Sequence, residues 1–350
     1  MKLYFKIVAL NYLKYFLILF VGIDALFLGI DLLLNYNRIP TELSFFLSYI
    51  FYTSISAISY VLPICIILAL LLSKFSMIRN NELIVFYSLG ISKKMVVFPN
   101  FICALGLVFA YICLSFSDLA YAYEYKNNIV KYKILKRNIK DIFFKHEDKL
   151  IYIDKYEHGI IKNIEIITIE DEKVSTQLNA DYGRFDGNEW ILTGVKIKTY
   201  HKAPTLGEES IVMDYKEQNE SKIGVKPEVF KGLNLQDELS ISDAFYLYGL
   251  LKSQGLDTSR IRAILYSLCF MPFFAPFLMI VMFFYLPNMQ RYGDFTLISF
   301  ALVLLSLLVY GVLLLLSRLG ISGVLYPEIS TLLPIFILGF MAFRFYKKKS

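Results

Sequence analysis

Asp24 and Asp31 stand inside a long apolar run, in the near-repeated triplets Gly22-Ile23-Asp24 and Gly29-Ile30-Asp31. A seven-residue spacing puts both on one face of a helix. A carboxylate among hydrocarbon is costly and usually marks a pathway or a partner. Asp24 reads either as a group that pairs between helices or lines a polar cavity, or as a chance polar residue facing a neighbour. Asp31, nearer the end of the run, reads as a hydrated helix-end carboxylate or as a functional group. Arg38, a few residues on, either snorkels to the interface or meets an anionic lipid headgroup. Glu82 is the one acid in the otherwise basic stretch Ser73–Met95. Enzyme chemistry finds no foothold: the chain has no Walker A sequence, no Gly-x-Ser-x-Gly elbow and no Gly-x-Gly-Asp. His146, His158 and His201 are widely spaced, without the His-Glu-x-x-His or Cys/His patterns of a metal site, and read as solvated surface residues.

The elements that must carry these groups follow from hydropathy. The 350 residues are 57% hydrophobic and only 19% charged, with a mean hydropathy of +0.54, which excludes a water-soluble enzyme. Six apolar segments approach the roughly 20 residues needed to cross a bilayer. They are Ile7 to Leu34, Phe45 to Leu72, Val96 to Phe116, Ile264 to Leu286, Phe295 to Leu316 and Tyr326 to Phe345. An even number places both termini on one side. Lys2, Lys6, Lys74, Arg79, Lys93, Lys94, Arg291, Arg344 and Lys347 to Lys349 lie on that side, against Arg38 and Arg318 in the opposite short loops. The positive-inside rule therefore predicts cytoplasmic termini. The first run is too long for a signal-peptide core and lacks a cleavage pattern, so it is expected to be retained. Cys65, Cys103, Cys113 and Cys269 all fall in proposed spans, which leaves no disulfide framework outside the membrane.

Three domains are expected: spans 1 to 3 in residues 1–117, a polar insert in 118–261 and spans 4 to 6 in 262–350. The insert carries a net charge of −3 and the rest of the chain +9. Its β-branched and aromatic runs, Leu150–Ile153, Ile164–Ile169, Trp190–Leu192 and Val195–Tyr200, are punctuated by turn signals at 157–159 and 185–188. These predict an all-β sandwich or jelly-roll. Near its end, Ser242 or Asp243 can cap an amphipathic helix through Phe245, Leu247, Leu250 and Leu251, closed by Gly255. Its apolar stripe is expected on the membrane surface or against the next span.

Within the connection between spans 2 and 3, a second amphipathic helix is expected near 76–92. It suits a membrane subunit seated in a groove on a separate motor, or a helix lying flat on the inner leaflet; periodicity does not separate the two. Here Asn81-Glu82-Leu83-Ile-Val-Phe-Tyr-Ser-Leu-Gly90-Ile-Ser92 resembles the Glu-Leu…Gly-x-Ser signature of the LptF/LptG permeases of lipopolysaccharide export. The resemblance runs the length of the chain: three spans, Asn179-Ala-Asp-Tyr-Gly183 and Trp190-Ile-Leu192 in the insert, a segment ending at Gly255, Pro272 in the fourth span, and Pro287…Arg291-Tyr-Gly293. Two departures stand out. Ser267–Met271 is uncharged where the family commonly has a basic residue, and the Pro287–Gly293 loop is longer than usual. The quoted residues are common to LptF and LptG.

The resemblance implies an α-helical membrane protein of six spans, three plus three, with an inserted β-jellyroll domain facing the periplasm, embedded in a bacterial inner membrane. It implies the permease subunit of an ABC exporter, paired with its paralogue, LptF or LptG, and joined to LptC and LptA by jellyroll edges. Spans 1 and 5 would form a lateral gate. Glu82, Leu83, Gly90 and Ser92 would couple to a cytoplasmic LptB dimer that holds ATP and Mg, with no catalytic residue, metal or cofactor on this chain and no nucleic acid as partner. Lipopolysaccharide has acyl chains and a phosphorylated headgroup, so a cavity open sideways with cations at headgroup level is expected, with Asp31, Arg38 and Arg318 as the binding candidates. Two other readings remain at this stage: a subunit of a different lipid or lipoprotein exporter, and a periplasmic sensor anchored by its spans.

Overall fold

The computed structural model describes residues 2–132, 139–146, 149–157, 160–170, 173–186, 189–200, 213–223, 239–253, 257–287 and 295–348. The chain forms two compact units, one from Met1–Lys131 with Thr258–Ser350 and the other from Tyr132–Asp257.

The first unit is helical. Helices α1 (Lys2–Asn35), α2 (Leu43–Arg79), α3 (Glu82–Ser88), α4 (Lys93–Ser115) and α5 (Ala122–Tyr132) precede the insert. After it come α7 (Ser259–Cys269), α8 (Phe274–Tyr285), α9 (Phe295–Ile321) and α10 (Leu333–Lys348). The described residues contain six helices long and apolar enough to cross a membrane, as hydropathy predicts. Span 4 is α7 and α8 joined by a 3-10 turn at Met271–Phe273, because Pro272 and Pro276 remove backbone donors there. A π turn at Glu328–Leu332 follows Pro327 and leads into α10. At 1.5 Å per residue the 37 residues of α2 run about 55 Å, well beyond a hydrocarbon core of roughly 30 Å. Accordingly α2 continues through Arg79, and the short helix that follows begins at Glu82 rather than near residue 76.

Spans 2 and 4 form the centre of this unit. Ala57, Cys65, Ile66, Ala69 and Leu70 of α2 pack in one buried cluster with Phe274, Ala275, Met279 and Phe283 of α8. Spans 1 and 5 form its rim. Leu10, Leu17, Val21 and Leu33 of α1, and Leu297, Phe300, Leu308 and Leu315 of α9, are all more than half exposed. Lipid is as apolar as leucine, so such faces are stable against acyl chains or another apolar helix.

The second unit is a six-stranded antiparallel sheet in the order β1 (Ile139–His146), β2 (Lys149–Glu157), β3 (Ile160–Glu170), β4 (Lys173–Phe185), β5 (Trp190–Tyr200), β6 (Met213–Ile223). The insert is thus β-rich as expected, and its described strands form an up-and-down meander with no crossover among them. The first three connections are two residues long, which leaves only hairpins between neighbours. In the β2 to β5 ladders the pairing skips a row in which Asp154, Asn163, Asp181 and Gly194 stand abreast. The buried face changes parity there, from Ile151 and Ile153 to Tyr156, from Ile166 and Ile164 to Ile161, and from Val195 to Leu192 and Trp190. Asn163 at φ 50° and Gly194 at φ 70° make the change possible, and the Asn163 amide donates to Asp154 Oδ2 at 3.0 Å. The parity change keeps Ile151, Ile153, Ile161, Ile164 and Val195 in one buried cluster with Trp190.

Helix α6 (Ile241–Ser253) follows in the same unit. Its cap is Ser240, not Ser242 or Asp243: the Ser240 hydroxyl accepts from the Asp243 amide at 3.1 Å and its carbonyl from the Ala244 amide at 3.0 Å. Ile241, Ala244 and Leu247 are buried while Phe245 is exposed, so the covered stripe starts one turn earlier than sequence placed it. Gly255, Arg291 and Gly293 lie outside the described residues, as do His158 and His201.

A Cβ at Gly194 would stand 2.6 Å from Asp181 Oδ2. Gly194→Ala therefore combines a left-handed backbone with a clash, and is expected to destabilise the β unit by about 1–3 kcal/mol. Trp190 is the only tryptophan, so its fluorescence during chemical unfolding of the full chain in detergent reads that loss directly.

Candidate functional site

The α3 loop gathers four of the sequence candidates. Asn81, left-handed at φ 59°, reverses the chain after α2, and the Asn80 amide donates to Glu82 Oε1 at 3.3 Å. Leu83 is fully buried and Phe86 nearly so, within the helical core. Leu83 thus anchors α3 rather than facing outward. Ile84, Val85 and Leu89 are exposed, giving α3 an uncovered apolar face beside the half-buried Glu82. Gly90 has φ 78°, and the Ile91 amide bonds the Phe86 carbonyl at 3.0 Å, a Schellman closure that glycine accommodates best. Ser92 then caps α4, accepting from the Met95 amide at 3.4 Å. The Gly-x-Ser spacing is thereby explained: one residue ends a helix, and two residues later another starts the next. The Tyr87 hydroxyl is buried with no partner among the described residues, and burial pushes its pKa up to about 12.

Lysines flank this loop. Lys74, only 1% exposed, donates from Nζ to the carbonyls of Phe283 and Leu286, each at 2.8 Å, and lies 4.3 Å from the Phe283 ring centre. The neighbouring Ser73 accepts from the Asn11 amide of α1 through its carbonyl at 3.4 Å and its hydroxyl at 3.3 Å. Lys94 donates to the Lys347 carbonyl at 3.2 Å and stands 5.7 Å from the Tyr346 ring centre.

On the opposite, insert side, Asp31 is held by two partners. Lys126 Nζ of α5 lies 2.8 Å from Asp31 Oδ1, with both side chains largely buried, and the buried Tyr49 hydroxyl of α2 donates to Oδ2. Tyr52 of α2 stacks on Tyr125 of α5 at 4.9 Å. This cluster fastens α5, which leads into the insert, to spans 1 and 2. A second pair, Arg262 of α7 with Glu328, joins span 4 to the turn before span 6. Ser317 Oγ donates to Ser267 Oγ at 3.0 Å, and a Cβ at Gly320 would fall 2.2 Å from Ser330 Oγ. Small residues there let helices approach closely.

Arg38, in the turn after α1, and Arg318, near the end of α9, are both exposed. The structure brings neither into the Asp31 pair, which Lys126 and Tyr49 occupy. Asp24 is half-buried, and its Oδ1 has no partner among the described residues. No group of three or more His, Cys, Asp or Glu among the described residues could hold a metal ion. Sequence reasoning missed Lys126, Tyr49 and the Arg262–Glu328 pair, and took Lys74, which is buried within α2, as a loop charge. Lys126 and Arg262 carried one signal, charge just beyond a span end, but nothing local names a partner 95 or 66 residues away.

A family model, the lipopolysaccharide export system permease LptF/LptG, matches residues 6–348. The chain belongs to the LptF/LptG family. Among curated proteins none matches it. LptF/LptG membership makes the chain a multi-pass transport permease, consistent with its six spans and inserted sheet.

Removing one member of a buried pair leaves the other charge uncompensated, at a cost of about 3–5 kcal/mol. Lys126→Met is expected to lower the thermal unfolding midpoint in detergent, and adding Asp31→Asn to recover most of the loss. A double variant no more stable than the single one would remove the pair from the account.

Proposed function

We propose that this chain is one of two permease subunits that draw lipopolysaccharide out of a bacterial inner membrane, driven by ATP hydrolysed in a separate cytoplasmic subunit. The observation that carries the proposal is α3. A seven-residue helix fixed by Leu83 and Phe86, with Ile84, Val85 and Leu89 turned outward, has the form of a knob for a groove in another protein. Glu82 and the flanking Gly90 and Ser92 set its ends. The LptB dimer is the occupant proposed for that side, bringing ATP and Mg; this chain supplies the mechanical seat.

Charge asymmetry supports putting α3 and both termini in the cytoplasm and the sheet in the periplasm. There β1 and β6, the outer strands among the described residues, are the edges proposed for jellyroll partners of the LptC and LptA type. The exposed faces of spans 1 and 5 suit acyl chains and a paralogous LptF or LptG. Arg38 and Arg318, exposed on the periplasmic side in this orientation, are the cations proposed for the phosphorylated headgroup. Asp31, bound to Lys126 and Tyr49, acts there by holding α5 rather than by touching lipid.

Glu82→Lys is expected to reduce co-purification of the ATPase with the permease pair while membrane insertion is unchanged; an intact complex contradicts the seat. Arg38→Glu is expected to reduce photo-crosslinking to lipopolysaccharide in the assembled complex, and crosslinking equal to the parent's assigns Arg38 to snorkelling alone.

A further inference from the structure

The two lysines that bracket α3 both end on the C-terminal carbonyls of helices from the other half of the chain. Lys74, five residues before the end of α2, closes α8 by taking the carbonyls of Phe283 and Leu286. Lys94, the second residue of α4, takes the Lys347 carbonyl at the end of α10. Helix C-termini carry unsatisfied carbonyls and partial negative charge, so an ammonium is their natural cap. Each cap joins a residue of the first three spans to one of the last three, 212 and 253 positions away. Lys74 is buried, with two short hydrogen bonds and an aromatic face. Swinging it away would leave a buried amine and two carbonyls without hydrogen-bond partners, so this contact persists through motion. The Lys94 contact is longer and exposed, and so is made and broken easily.

We propose that Lys74 and Lys94 are positioning residues that make α3 move as one piece with the ends of spans 4 and 6, Lys74 as the permanent pivot and Lys94 as the releasable strap. The inference rests on the reading of α3 as the ATPase seat. It extends that reading by naming how displacement of the seat reaches spans that α3 does not belong to. Asn11, bonded to Ser73, brings span 1 to the same point.

The test is hydrogen exchange by mass spectrometry on the complete permease–ATPase complex in nanodiscs containing lipopolysaccharide, with and without ATP and vanadate. In the parent, nucleotide is expected to change protection across 79–92 and, together with it, across 280–287 and 343–347. In Lys74→Met the change at 79–92 persists and that at 280–287 is lost; Lys74→Arg restores it. Lys94→Met, at a surface contact with little bearing on folding, abolishes only the change at 343–347. Lipid extracted per ATP hydrolysed falls by about tenfold in Lys74→Met, the equivalent of one hydrogen bond to a charged group. Unaltered transmission to 280–287 in Lys74→Met, or to 343–347 in Lys94→Met, overturns the proposal. A parent with no nucleotide response at 79–92 overturns the reading of α3 itself.

Discussion

A buried lysine that reaches across the helical unit to two helix-end carbonyls is the interaction on which that unit turns. Among the described residues Lys74 is satisfied by the carbonyls of Phe283 and Leu286 and by the Phe283 ring rather than by an acid. Span 4 needs such a cap because it is broken at Pro272 and its second half, Phe274–Tyr285, is short. In a medium without water, every helix end must find its partners in protein or at the interface. The cap therefore fixes spans 2 and 4 as the centre, and the other helices arrange around them.

The opposite membrane face uses charge differently. Asp31 with Lys126, and Arg262 with Glu328, each tie segments within one half of the chain. One half is thus braced by spans 1 and 2 with α5, the other by spans 4 and 6. The only lysine caps described between halves lie on the terminus side. A permease that opens sideways on the insert side and stays joined on the terminus side would need that distribution of ties, with rim spans 1 and 5 facing whatever enters.

Much of this was legible in sequence where a physical period or a sign of charge is local. Six spans followed from apolar length, and Gly90 and Ser92 marked the reversal after α3 because each residue serves a nearby backbone group. Strands β2, β3 and β5 announced themselves through β-branched and aromatic runs, whereas β1, β4 and β6 did not; Lys173–Phe185 has no isoleucine, and Met213–Ile223 is mostly charged and polar and becomes a strand by pairing with β5. The change of buried face in the sheet was hidden because Asp154, Asn163, Asp181 and Gly194 look like ordinary turn residues until register sets them abreast. Asp31 was noticed and its partner was not, since an ion pair between distant segments leaves no spacing to read. Leu83 shows the same limit: helical periodicity marks an apolar face but not which side of it meets the core.

The proposed function requires α3 and the β insert to lie on opposite sides of one membrane, α3 on the side where ATP is. Single cysteines at Leu89→Cys and Thr193→Cys, both exposed positions, can be challenged with an impermeant maleimide in right-side-out and inverted inner-membrane vesicles. The account predicts labelling at 193 only in right-side-out vesicles and at 89 only in inverted ones. Labelling of both positions from the same side, or the reverse pattern, would contradict it.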